Sequence, residues 1–332
     1  MEKFSYSVAI RTLGTAGKKY EKLMRSIQSQ IIQPEKIVVV LPEGYALPPY
    51  QIGTESFVFC KKGMIIQRLE ALKYIESKYT LFCDDDVEFD EDFVEKLIQP
   101  MEKEGYACTA GPLLSFFPPN SKKYLIASLL GGACVMFHGR DHQYVRILRT
   151  GGWSYNYYID TAHHKIYDTD SLAWTCFCIH TDTMRAIHLE HEVWLDRNGY
   201  AAFDDQTMAY KLRVNGYRIG IVSDALYMHN DGKASLTNLK LEPIYAHAFN
   251  HYVFWHRFLY SPSVSFLEKI WMKICINYSI CMGMLYNALL LRKGRKTKEQ
   301  IDAARIGFKD AKEYVKTEEY LGLPSVFGRG RS

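Results

Sequence analysis

Three consecutive aspartates, Asp84, Asp85 and Asp86, close the apolar run YTLFC. Carboxylates crowded in this way repel one another unless a cation compensates. Hard divalent ions such as Mg²⁺ and Mn²⁺ take oxygen ligands and commonly bridge protein carboxylates to substrate phosphates. Alternate residues of an extended chain face the same way, so Asp84 and Asp86 are expected to share one ion while Asp85 points elsewhere. The competing reading is a solvated loop ahead of the helix DEDFVEKLIQ, with Asp90 as its N-cap, but three carboxylates are more than a cap needs. A second acidic pair, Asp204–Asp205, opens the helical stretch DDQTMAYKLRVNG. A carboxylate at a positively polarised helix N-terminus stays ionised, which equips Asp205 to take a proton from a substrate hydroxyl. His229, ending the strand ALYMH, is a candidate further metal ligand.

The elements that must position these residues alternate. YSVAI, KIVVVL, SFVFC and YTLFC read as strands. Tyr20, Leu23, Met24, Ile27 and Ile31 recur at helical spacing between the first two strands; Ile65, Leu69 and Leu72 do so before the fourth. Strand–helix alternation implies a mostly parallel sheet with helices on both faces, whose ligands bind beyond the carboxyl ends of the strands. The aspartates at 84–86 lie at such an end. Between 111 and 200, ACVMF and AWTCFCIH read as strands, and the polar, aromatic segment between them is too long for a simple connector. Met208 and Leu212 mark a helix face that Gly216 closes, and RIGIV and ALYMH follow as strands.

Charge and composition exclude other classes. The net charge of +4 is too small to argue for nucleic acid. From Arg292 onward there are eleven Lys/Arg against six Asp/Glu, whereas the preceding chain is balanced, so the tail alone is basic. The eight cysteines form no CxxC pair and read as reduced core thiols of a reducing, cytoplasmic compartment. No apolar leader is visible at the N-terminus. Residues 274–291 carry no charge and nearly reach membrane-spanning length, with basic residues on both flanks. Packing on the body, lying in a membrane interface and spanning are all open, in that order of preference. Neither GxGxxG nor a Walker lysine follows the first strand, and HLEHE (188–192) reads as surface charge.

The ordered set resembles the family 2 glycosyltransferases of the GT-A fold, the group that builds bacterial surface polysaccharides. SVAIRT followed by a helix and PEKIVVVL resembles the family's opening. GMIIQRLEALKYIESKYTLFCDDDVEF resembles the stretch that ends in its DxD motif, FDDQTMAYKLRVNGYRIGIV the acidic-pair motif, and DALYMH the strand ending in histidine. YAHAFNHYVFWHRFL and AARIGFKDA resemble the helical tail of polysaccharide-assembly members. The resemblance implies a GT-A catalytic domain over 1–240, with a nucleotide-sugar half (about 1–112) and an acceptor half (about 113–240), and a helical extension over 241–332. It implies metal at Asp84, Asp86 and His229; donor contacts from Arg11, Thr12, Glu43, Arg68, Asp84 and Asp85; and catalysis by Asp205 with Asp204, inverting the anomeric carbon. The second strand ends in VVVLPEGY, where the family usually has acidic residues that read the base; only Glu43 is present, which leaves UDP-, GDP- and dTDP-sugars open as donors. The acceptor class is a glycan or lipid-linked glycan, with the inner membrane surface as a further partner for the tail. On this resemblance Trp153 and Trp174 are candidates to stack on a sugar face, with burial in the core as the competing reading, and Tyr155, Tyr157 and Tyr158 belong to a candidate acceptor lid. Two rival readings are a metal-dependent nucleotidyltransferase, of which RTLGTAGKKY is a faint signature, and a non-catalytic glycan-binding or assembly subunit.

Overall fold

A computed structural model describes residues 4–117, 121–130, 143–156, 158–230, 240–263 and 265–327. Tyr157, Cys134 and the expected strand ACVMF lie outside these. β1 (Tyr6–Arg11), β2 (Lys36–Pro42), β3 (Glu55–Cys60) and β4 (Tyr79–Asp84) pair in parallel. They form half of an eight-stranded sheet of order β3-β2-β1-β4-β10-β6-β11-β9, completed by β6 (Cys108–Ala110), β9 (Ile166–Asp168), β10 (Cys176–His180) and β11 (Ile219–Val222). β10 runs antiparallel between β4 and β6, and β9 antiparallel on the edge. The β-branched runs are buried on both faces, as a helix-covered parallel sheet requires. Val39 and Leu41 enter one core, beneath α1 (Lys18–Gln28) and α3 (Phe93–Glu104); Val38 and Val40 enter the other, beneath α2 (Met64–Ala71).

Several expectations are corrected. Helix α3 starts at Phe93, so Asp90 is not its N-cap; the Gln30 side chain instead accepts from Val94 N at 3.1 Å. Ile31 lies past the end of α1 and is exposed. The segment expected as a lid is structured: β7 (Val145–Ile147) and β8 (Trp153–Tyr155) form an antiparallel pair, and β9 joins the main sheet. The strand ending in His229, β12 (Tyr227–His229), stays out of the main sheet and pairs with β5 (Val87–Phe89). Of the seven described cysteines, all free, five are buried, Cys275 is half-buried and Cys281 is exposed.

Beyond residue 240 the chain is helical. α7 (Leu241–Phe254) continues through a π-helical turn at Trp255–Tyr260, and α8 (Phe266–Arg292) and α9 (Lys298–Tyr314) follow. α7 packs closely along α9. At their crossing Gly307 lets the backbones meet: a Cβ there would lie 2.5 Å from the Tyr245 carbonyl oxygen. α8 rests on the body through Met272 and Ile276.

Candidate active site

The aspartates sit where β4 ends. Arg11, opposite Asp84 in the β1–β4 register, donates to Asp84 Oδ1 from Nε (3.3 Å) and Nη2 (3.0 Å). Arg68, from α2, donates to the same oxygen at 2.9 Å. Burial opposes ionisation of Asp84, but the two guanidiniums outweigh it and hold its pKa below the usual carboxylate value. Asp85 turns away, as alternation predicts, and accepts from Thr12 Oγ1 at 2.5 Å. Burial, reinforced by Asp84, raises its pKa to about 6 against that hydrogen bond.

Asp86 meets His229 because of the small β5–β12 sheet. Its register sets His229 against Val87, the residue after Asp86, and Asn230 N donates to the Asp86 carbonyl at 2.9 Å. His229 Nε2 then lies 3.1 Å from Asp86 Oδ1. Two donor atoms bound side by side to one ion at ~2.1 Å are ~3 Å apart, so this O/N pair fits a divalent cation such as Mn²⁺ or Mg²⁺. Asp84, expected to share that ion, has Oδ1 engaged by two arginines instead.

Two cavities flank these acids. One, of 250 Å³, is lined by Arg11, Thr12, Thr15, Lys19, Asp85 and Asp86. Glu43, expected to read the donor base, is exposed and is not among its lining residues. Arg68 does not line it either: its side chain is 3% exposed and bridges Asp84 to Asp204 (Nη1–Oδ2 3.6 Å). The Arg68 guanidinium also lies over the Trp174 ring, 4.3 Å from its centroid. Of the two readings of Trp174, sugar contact and burial, the structure selects burial: it lies beneath Arg68 and cannot stack on a sugar.

The second cavity, of 310 Å³, contains Asp204 and Asp205 at the first turn of α6 (Asp204–Val214) and is walled by Trp153, Tyr155, Tyr200, Phe203 and His247. Asp205 Oδ1 accepts from Trp174 N at 2.9 Å. The helix terminus was expected to favour the ionised form of a carboxylate here. Burial overrides it: the Asp204 pKa rises to about 6, and that of Asp205 rises well above the usual range through burial and then repulsion from Asp204. Neither acid is the N-cap. That position belongs to Phe203, whose φ of 70° is left-handed, a costly conformation for a bulky residue. Its ring is held against Trp153, His251 and Phe254, which offsets the strain. Nothing in the sequence marks Phe203, Tyr200 or His247; their chemistry is generic and only their placement selects them. Thr15 and Lys19, also missed, follow the first strand in RTLGTAGKKY. His188, Glu190 and His191 come together at the surface, with His188 Nδ1 and Glu190 Oε1 hydrogen-bonded at 2.8 Å.

The mostly parallel eight-stranded sheet flanked by helices, with acids at the end of β4, is a GT-A-like fold. The family described as glycosyl transferase family 2 matches residues 59–172. A crystal structure of GalNAc-T7 with UDP, GalNAc and Mn²⁺ is 14% identical, with a TM-score of 0.50, over 84% of this chain and 57% of that one. The chain thus spans little more than half the length of that relative. S. aureus TarS 1–349 is 16% identical over 94% of this chain and 92% of that one, with a TM-score of 0.45. No curated protein matches the sequence significantly. The match over residues 59–172 and the GT-A-like fold agree with the resemblance read in the sequence and support a glycosyltransferase.

Proposed function

We propose that the chain is an inverting glycosyltransferase. It moves a sugar from a UDP-, GDP- or dTDP-sugar onto a hydroxyl of a glycan or lipid-linked acceptor in capsule, O-antigen or exopolysaccharide synthesis, at the cytoplasmic face of the cell membrane. The observation that carries this reading is the pair of cavities flanking these acids, Asp86 lining one and Asp204 and Asp205 the other, with Arg68 bridging Asp84 to Asp204.

Arg11 and Lys19 supply positive charge to the first cavity, suited to a diphosphate. The aromatic walls of the second suit a sugar acceptor. Asp205 takes the proton of the acceptor hydroxyl as that oxygen bonds to the anomeric carbon. The bond from that carbon to the diphosphate oxygen breaks on the opposite face, which inverts the centre. The Trp174 N–H fixes one Asp205 oxygen and so orients the carboxylate. Arg68 holds Asp84 and Asp204 in place from behind, a positioning role rather than a donor contact. A divalent cation held by Asp86 and His229 would neutralise charge on the departing diphosphate. Among nucleotides and ions, UDP and Mn²⁺ are the first to test, because GalNAc-T7 of the same fold was crystallised with them.

The test is thermal unfolding with UDP, GDP, dTDP or CMP, with and without Mn²⁺. One nucleotide should raise the melting temperature of the wild type only with metal, and lose that effect in Asp86→Ala. No shift with any nucleotide at saturating Mn²⁺ would overturn the donor site.

A further inference from the structure

Helix α8 has an anomalous outer surface. At 100° per residue, Met272, Ile276, Gly283 and Leu290 cluster on one side, where Met272 and Ile276 are buried against the body. The opposite side carries Leu267, Ile270, Trp271, Ile274, Tyr278 and Leu285, with exposures from 41% to 74%. No charged residue interrupts that face between Leu267 and Leu291. A solvent-facing helix ordinarily alternates apolar and charged faces, and a contiguous apolar patch of this length marks an interaction surface.

The charges lie around the patch instead of within it. Lys269 and Lys273 flank its first turns, both beside the Tyr260 ring (5.9 and 5.3 Å to its centroid). Arg292, Lys293 and Arg295 close the other end. Helix α4 (Lys122–Leu130) packs against α8 and adds exposed Lys122, Lys123 and Ile126. An apolar strip rimmed at both ends by cations complements a lipid surface with anionic headgroups, with Trp271 and Tyr278 suited to the headgroup boundary. A second copy of the chain fits poorly. Parallel or antiparallel, two such helices would set basic ends against basic ends. Spanning also fits poorly, because Met272 and Ile276 are buried and anchor the helix along the body.

We infer that α8 is an in-plane membrane anchor: it lies flat in one leaflet of an anionic bilayer, its outer face among the acyl chains and its basic rim on the headgroups. The inference is independent of the transfer reading, because it is tested without donor or acceptor. Full-length protein is floated with phosphatidylcholine vesicles and with vesicles containing phosphatidylglycerol, at low and high salt. Flotation with the anionic vesicles is expected, weakening as salt rises, and alkaline carbonate should release the protein. Ile274→Glu with Leu285→Glu should abolish flotation while leaving the melting temperature unchanged. Lys269→Gln with Lys273→Gln should weaken binding by about fivefold per residue. Resistance to carbonate would overturn the inference in favour of a span. A soluble dimer that ignores vesicles and dissociates in the Ile274→Glu, Leu285→Glu variant would overturn it in favour of self-association.

Discussion

At the scale of single residues, the site separates acids of the same type by their surroundings. Asp84 is held ionised by Arg11 and Arg68, whereas burial pushes Asp204 and Asp205 upward, aided at Asp205 by repulsion from Asp204. A base works best when its pKa approaches the working pH, so this upward shift favours proton transfer. Asp205→Asn should lower kcat by ~10²–10⁴-fold with nucleotide binding retained, measured by sugar transfer alongside the thermal shift. The sign of the pH dependence follows. A base with a raised pKa is protonated, and idle, below it, so wild-type kcat should fall on the acid side through a step above the usual carboxylate range. Because the acids couple, that step belongs to the pair. A step near pH 4 would place the base elsewhere.

At the scale of elements, the site depends on a short sheet and a tight helix crossing. The β5–β12 pair alone brings His229, from late in the chain, to Asp86. In the extension, Gly307 sets how closely α9 approaches α7. Gly307→Ala would gain ~1 kcal/mol in helix propensity. The added Cβ, however, meets the Tyr245 carbonyl oxygen at 2.5 Å and the Ala248 Cβ at 3.0 Å. Backbone cannot swing aside as a side chain can, and overpacking costs ~1–3 kcal/mol. The variant should therefore be less stable than the wild type in urea unfolding, although alanine is the better helix former. Equal or greater stability would show that the crossing can relax.

At the scale of the molecule, the sheet-bearing body and the C-terminal helical extension are fastened by a buried ion cluster. Glu192, 1% exposed, accepts from Lys211 Nζ (2.8 Å), Arg257 Nε (2.5 Å) and Nη2 (3.0 Å), and Trp194 Nε1 (2.9 Å). Arg257 belongs to the extension and reaches on to the Pro324 carbonyl. Removing one partner of such a cluster strands buried charge, so Glu192→Ala should cost about 3–5 kcal/mol, read as an earlier denaturant midpoint. Burial opposes ionisation of Glu192, but its cations prevail and hold its folded pKa below the ordinary glutamate value. Its contribution is therefore present above about pH 4.5 and is lost as pH falls through the lower folded pKa. Glu192→Ala should remove that part of the wild-type acid sensitivity.

Local pattern was enough to set out the parallel strands, the helices between them, the placement of Asp84–Asp86 at a strand end and the helical opening at Asp204–Asp205. Each is written in nearest-neighbour chemistry: β-branched runs, helical spacing, charge after an apolar stretch. Asp84 was legible as an acid at the site but not as the partner of two arginines, and Arg68 as a nearby cation but not as a buried strut. Trp174 and Trp153 are indistinguishable as letters, yet one is buried beneath a guanidinium and the other walls a cavity. The strained Phe203, the meeting of His229 with Asp86 and the outward apolar face of α8 depend on which surfaces are covered by residues distant in the chain. Periodicity reports that a face is apolar; only packing decides whether protein, solvent or another phase meets it.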